Sequence, residues 1–372
     1  MSELAADIQF EAVSPRQLAW IRFKRHRLAM VSGGFLIFIY LTAALCEFIT
    51  PYGTDTRNVQ AINAPPMSVQ FFDKAGEFHL RPFVYGYDMH INADTWMRDY
   101  VENPEKRYPI YFLARGERYE FWNLFYSDIH LFTTGKEGYL HLFGTDQLGR
   151  DLFSRVFYGA RVSLSIGILG VTLTLFLGVL LGGLAGYIGG LVDRIVQRVI
   201  EVLQSLPTLP LWMALSAALP VSWSSLGVYF GITIILSLFG WPALARQVRG
   251  KFLALREEDF VMSARLLGAG RMRVIFKHML PSFNSHMIAT ATLAVPGMIL
   301  GETALSFLGI GLRPPVVSWG VLMQQAQNYQ VIVLTPWLLL PGLFVVLTVM
   351  AFNLLGDGLR DAVDPYSTAG QD

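Results

Sequence analysis

Glu302 is the side chain in this sequence that most needs a chemical reason. It sits in "LGETALSFLGIG", and between Pro281 and Leu312 there is no other Asp, Glu, Lys or Arg. A carboxylate at the centre of a membrane helix costs about 2.5 to 3.5 kcal/mol on insertion scales. It therefore either faces a translocation path or is hydrogen-bonded to a neighbouring helix. Other reactive groups form no pattern. His79, His90, His130 and His141 lie in one segment without an H-E-x-x-H spacing, and no metal site is expected. "TTGKEG" lacks the upstream glycine and the Ser/Thr after lysine of a phosphate loop, so ATP hydrolysis by that route is excluded. G-x-S-x-G is absent, which removes the nucleophile elbow. Cys46, the single cysteine, excludes an intrachain disulfide and reads as a packed or lipid-facing thiol. No catalytic residue and no cofactor is expected.

The elements that would position Glu302 are membrane helices. Apolar residues make up 53% of the chain and charged ones 15%, and the mean hydropathy is +0.42, values of a polytopic membrane protein. A net charge of +1 gives no field for nucleic acid. A hydrocarbon core of roughly 30 Å needs about 20 apolar residues in a helix, and six runs qualify: Leu28 to Ile49, Val162 to Ile188, Val196 to Pro220, Ser225 to Ala245, Phe283 to Leu312 and Pro336 to Leu355. The third carries Pro207 and Pro210, which unwind it. Arg16, Arg22, Lys24, Arg25 and Arg27 precede the first run, and Arg246, Arg249, Lys251, Arg256, Arg265, Arg271, Arg273 and Lys277 follow the fourth. By the bias of Lys and Arg to the inner side, both segments are cytoplasmic, and with six spans both termini lie inside.

Thr50 to Arg161 then falls outside. Its aromatic stretches "RPFVYGYDMH" and "YPIYFLARGERYEFWNLF" predict strands, the second a hairpin turning near Arg115 to Glu117, so a small β-rich extracytoplasmic insert is expected. "FGTDQLGRDLFSRVFYGARVSLS" places Leu152, Val156, Phe157 and Ala160 on one face and predicts an interfacial helix feeding the second span. Trp319 reads as an interface anchor. Gly178, Gly182, Gly183, Gly186, Gly189 and Gly190 give the second span a small-residue face for close packing.

The charged stretch "REEDFVMSARLLGAGRMRVIFKHMLPS", residues 256 to 282, interrupts this hydrophobic pattern. Glu257, Glu258 and Asp259 suit a helix N-terminus, Phe260, Ala264 and Leu267 recur at helical spacing, and Gly268 and Gly270 break the helix. "RMRVIFKHML" begins a second helix that Pro281 ends. A solvated connector is the plain alternative to a docking element.

Ala264, Gly268, Leu280 and Pro281 resemble the EAA signature of permease subunits of bacterial ATP-binding-cassette importers, the segment that docks into the ATPase. The signature's glutamate falls on Met262 and its first alanine on Ser263. "HMLP" at His278, with "FGTDQLGRDLFSRVFYGARVSL", "GYIGGLVDRIVQRVIEVLQSLPTLPL", "ETALSFLGIGLRPPVVSWGVLM" and "NLLGDGLRDAVDP", is similar to the second permease of dipeptide and oligopeptide importers. The resemblance implies an all-α permease of the type I importer fold in the bacterial inner membrane. A second, homologous permease, two cytoplasmic ATPases and an extracytoplasmic solute-binding protein are its implied partners. The implied division is a basic N-terminus (1–27), a first span (28–49), the insert (50–143), a permease core (144–366) with coupling helices at 256–281, and a tail (367–372). Phe260, Ala264, Arg265, Leu267, Gly268, Ala269, Arg271 and Arg273 are the expected ATPase-docking residues. An ion-coupled secondary transporter and a membrane-anchored receptor are the rival readings. The first would carry more intramembrane carboxylates; the second would need no glycine-turned docking element.

Overall fold

A computed structural model describes residues 15–91, 93, 98–135 and 138–363. The first 14 residues and the predicted tail 367–372 lie outside the described residues.

The described residues are mostly helical, and among them five helices are long and apolar enough to cross a bilayer: Arg27–Ala44, Leu152–Ile188, Ser225–Leu255, His286–Phe307 and Pro336–Ala362. A sixth apolar segment is a broken pair, α5 (Gly190–Ser205) and α6 (Thr208–Ala217), bent by 88°. Proline sets the break. Leu206 is pushed to extended backbone (φ −93°, ψ 141°) by the ring of Pro207, whereas Pro210 falls in the first turn of α6, where its missing N–H costs nothing.

Two short helices lead in: α1 (Pro15–Arg25) and, after the first span α2 (Arg27–Ala44), α3 (Cys46–Ile49). Among the described residues, five strands follow in two antiparallel sheets. One has the order β1 (Gln70–Phe72), β2 (Phe78–Ile91), β3 (Arg98–Pro109); the other pairs β4 (Tyr111–Phe121) with β5 (Phe125–Thr133). The β4–β5 hairpin does not turn at Arg115 to Glu117. Gly116 lies within β4, where a Cβ would meet His130 Cδ2 at 2.7 Å, and the turn comes at Trp122 and Asn123, both in left-handed backbone. Glycine here serves close approach rather than reversal.

Helix α4 (Leu152–Ile188) is continuous for 37 residues, about 55 Å at 1.5 Å per residue, so the expected interfacial helix is the first part of the span itself. Its predicted apolar face is buried: Leu152, Val156, Phe157 and Ala160 are all at most 7% exposed. Asp151 caps it, accepting from Ser154 N at 2.7 Å and Ser154 Oγ at 2.6 Å. Helix α7 (Ser225–Leu255) runs beside α4 in the same direction. A Cβ on Gly182 would stand 2.4 Å from Ala245 O, on Gly186 2.8 Å from Arg249 O and on Gly178 2.7 Å from Leu244 Cδ2, so these glycines set the helix separation. Gly189 and Gly190 do something else. Both have positive φ and turn the chain from α4 into α5. Helix α10 (Asn284–Phe307) packs on α4 and on α13 (Leu340–Val363), which in turn holds α2.

Candidate functional site

At the end of α7 the chain reverses into α8 (Asp259–Leu266), a tight turn, α9 (Arg271–Arg273) and a π-helical turn over Val274–Met279. This element lies at the end of the bundle away from the strands, because Arg265 reaches Tyr187 in the last turn of α4. Of the three acidic residues before it, only Asp259 is in the first turn of α8, and Glu258 occupies the N-cap without a side-chain cap bond.

The turn after α8 is a complete Schellman closure. Ala269 N donates to Ala264 O at 3.0 Å and Gly268 N to Arg265 O at 2.9 Å, with Gly268 at φ +80°. Among the described residues, no other part of the chain comes within 4 Å of a Cβ built on Gly268. Glycine is therefore required here by backbone conformation, not by crowding inside the chain. Gly270 has ordinary extended backbone (φ −64°, ψ 153°).

The residues at helical spacing divide between the two sides of α8. Val261 and Ala264 pack on Val274, Ile275, Met279, Phe283, Phe252 and Val248, whereas Phe260 and Leu267 point outward at 43% and 88% exposed. Ala269 is half-buried against the same cluster. Leu266, which sequence reasoning passed over, is 89% exposed and stands beside Leu267 at the apex of the turn. Met272 and Phe276 are also exposed, at 52% and 46%. Periodicity did not single out Leu266, because adjacent apolar residues can share one buried stripe of a helix.

Arg265 is exposed but engaged, its Nε donating to Tyr187 Oη at 3.1 Å and its guanidinium lying 4.6 Å from that ring. Arg271 and Arg273 are exposed. The structure thus brings Leu267, Gly268, Arg271 and Arg273 to one surface, uses Ala264 and Ala269 beneath it, and ties Arg265 back to α4.

Glu302 is remote from this element and fully buried. Its carboxylate accepts from Ser318 Oγ at 2.7 Å, Ser306 Oγ at 2.8 Å and Ser163 Oγ at 3.0 Å. Those hydroxyls accept in turn from backbone: Val321 N to Ser318 at 3.2 Å, Leu312 N to Ser306 at 3.0 Å and Trp319 N to Ser163 at 3.2 Å. One carboxylate thereby fixes the loop 308–318 onto α4 and α10. Trp319 is no interface anchor. It is wholly buried and its indole N–H donates to Val156 O at 3.0 Å.

A second polar knot sits where the strands join α4. Asp146, wholly buried, is paired with Arg155 and, at 2.8 Å, with Arg150. Burial alone would raise its pKa, but Arg155, then Arg150, outweigh that and hold the carboxyl below the usual aspartate value. Asp73, Glu77 and His79 are close enough together to share a cation, yet Arg107 Nη1 stands 2.9 Å from His79 Nε2, and a guanidinium there repels one.

Residues 178–367, more than half of the chain, match the family of binding-protein-dependent transport system inner membrane components. The chain belongs to this family. Residues 14–66 match the N-terminal transmembrane domain of oligopeptide transport permease C. The dipeptide transport system permease protein DppC of Bacillus subtilis is 32% identical over 363 residues, 97% of this chain and 89% of that protein. The oligopeptide transport system permease protein OppC of the same organism is 39% identical over 226 residues, covering 60% of this chain and 72% of that protein. A putative peptide transport system permease protein of Brucella suis is 42% identical over 230 residues, 61% of this chain and 74% of its own length. As a member of the inner membrane component family, the chain is a multi-pass membrane permease and carries no catalytic centre of its own.

Proposed function

We propose that this permease serves an ATP-driven importer of peptides or similar small solutes and works by alternating access between itself and a second, homologous permease. Two separate ATPases bind the element at 256–281, and a soluble receptor delivers solute from the strand-bearing side. Closure of the ATPases pulls the two docking elements together and opens the cavity outward; hydrolysis and release reset it. The segment layout follows: a basic N-terminus (1–27), a first span (28–49), the extracytoplasmic insert (50–143), and a core (144–366) in which the bent α5–α6 pair supplies the sixth crossing. Both termini are cytoplasmic.

The observation that supports docking is the exposed apolar apex, Leu266 and Leu267, held on a closed turn whose inner face is packed. Such a surface is too apolar for a solvated connector and too rigid to be a linker. Glu302 takes the structural role in this reading, since it is fully buried and three hydroxyls satisfy it. The test is reconstitution in proteoliposomes. With co-produced partners, uptake of labelled peptides should require internal ATP and the receptor. Uptake by the chain alone under an ion gradient would favour a secondary transporter, and a purified complex without an ATPase would favour a receptor.

A further inference from the structure

The β4–β5 hairpin ends in a surface suited to lipid. From Phe121 to Ser127 the sequence "FWNLFYS" has no charged residue, and Leu124, Tyr126, Phe125 and Trp122 are 77%, 61%, 56% and 50% exposed. In water, clustered apolar exposure of this kind is unfavourable and marks an interaction surface.

The hairpin's position selects the partner. Trp122 Nε1 donates to Ala44 O at 2.8 Å, the last residue of the first span. The Arg161 guanidinium lies 4.1 Å from the Trp122 ring and donates to Ala43 O at 3.1 Å and Ala44 O at 3.2 Å. The tip is thus pinned at the level where α2 leaves the hydrocarbon. Ile37 and Leu41 precede Ala44 by seven and three residues, on its stripe of the helix, and are 63% and 57% exposed. The apolar tip continues the outward face of the first span.

The turn itself is tight and well defined. Leu124 N donates to Phe121 O at 2.9 Å across Trp122 and Asn123, at φ 49° and 56°, the geometry of a type I′ turn. Asn tolerates that region; a bulky aromatic is strained in it. The two-residue loop requires that conformation at both positions, and Trp122 meets Ala44 and Arg161 from it.

We infer that residues 121–126 form a membrane-interface anchor, with Leu124 and Phe125 in the outer edge of the acyl region and Trp122 at the headgroup level, where aromatic side chains with a polar end collect. The anchor would seat the insert on the bilayer beside the first span. This rests on α2 crossing the bilayer, and the experiment tests that separately.

Spin labels are placed at Leu124→Cys, Phe125→Cys, Ile37→Cys and Leu80→Cys of the full complex in nanodiscs, and collision rates with oxygen and with a water-soluble nickel chelate are compared. Leu80 is the aqueous reference, being 88% exposed on β2, and unsubstituted protein, whose Cys46 is buried, is the labelling blank. The expected result is oxygen contact dominating at 124, 125 and 37, with a ratio several-fold above that at 80. A ratio at 124 and 125 equal to that at 80, with 37 still in lipid, overturns the anchor. Labels at 124 and 125 shielded from both reagents mean that a protein covers the tip, which overturns it as well. If 37 is also aqueous, the membrane assignment of α2 fails and the anchor with it.

Discussion

Leu267→Ala separates docking from folding. In the permease alone Leu267 is 88% exposed, so truncation should change stability by no more than about 0.5 kcal/mol. If the apex enters a groove of the ATPase, the same change removes three carbons from a buried contact. At about 0.8 kcal/mol per buried methylene, full burial would lose ~2.4 kcal/mol and partial burial ~1 kcal/mol. The ATPases should therefore bind roughly 5- to 50-fold more weakly, at 1.4 kcal/mol per factor of ten. The assay is biolayer interferometry of purified ATPase on the permease pair in nanodiscs, alongside the melting temperature of the permease. Leu266→Ala should behave alike. Unchanged affinity in both variants would refute the apex as the contact; lowered affinity with an equally lowered melting temperature would refute the separation from folding.

Three further outcomes follow from the geometry. Gly268→Ala forces an L residue to φ +80° at about 1 to 2 kcal/mol, which should reduce coupled uptake, and Gly268→Asp should abolish it, while both proteins still insert and pair, as checked by co-purification. Glu302→Ala leaves three buried hydroxyls without their acceptor, and at about 1 to 3 kcal/mol for an unsatisfied buried group it should lower the melting temperature of the permease more than Glu302→Gln does. Asp146 has a lowered pKa, so its ion pairs contribute stability in full above the unfolded aspartate value of about 3.9, and that contribution is lost as pH falls through the lower folded value. Protease resistance of the insert should thus hold at neutral pH and drop on acidification below that value, and Asp146→Asn should remove the acid-dependent step.

Apolar runs located the long helices because they depend only on composition along the chain. The short helix and turn within 256–281 were legible for a local reason: Gly268 after a short helical period announces a left-handed cap. What sequence could not show were partners distant along the chain. Arg155 and Arg161 stand in the stretch expected to form a separate interfacial helix. Asp146 pairs with the first, and Glu47, accepting from Arg161 Nη1 at 2.6 Å, with the second, which lets one helix run through. Gly116 drew the hairpin turn to itself because a glycine needed for a close approach to His130 looks the same as one needed for a reversal. The serines around Glu302 lie on α4, on α10 and before Trp319, and only folding gathers them.

The segment between the first two long helices leaves and returns at one place. Asn58 N donates to Gly149 O at 2.8 Å, and Leu140 N donates to Tyr52 Oη at 2.9 Å. Residues 67–177 fall between the two family matches, at 14–66 and 178–367, and the strands occupy this interval. With its entrance and exit stapled together, that stretch is a cassette. Its length can grow, shrink or be exchanged between relatives with little change in loop-closure entropy, while the helices below keep their positions and the transport cycle its geometry.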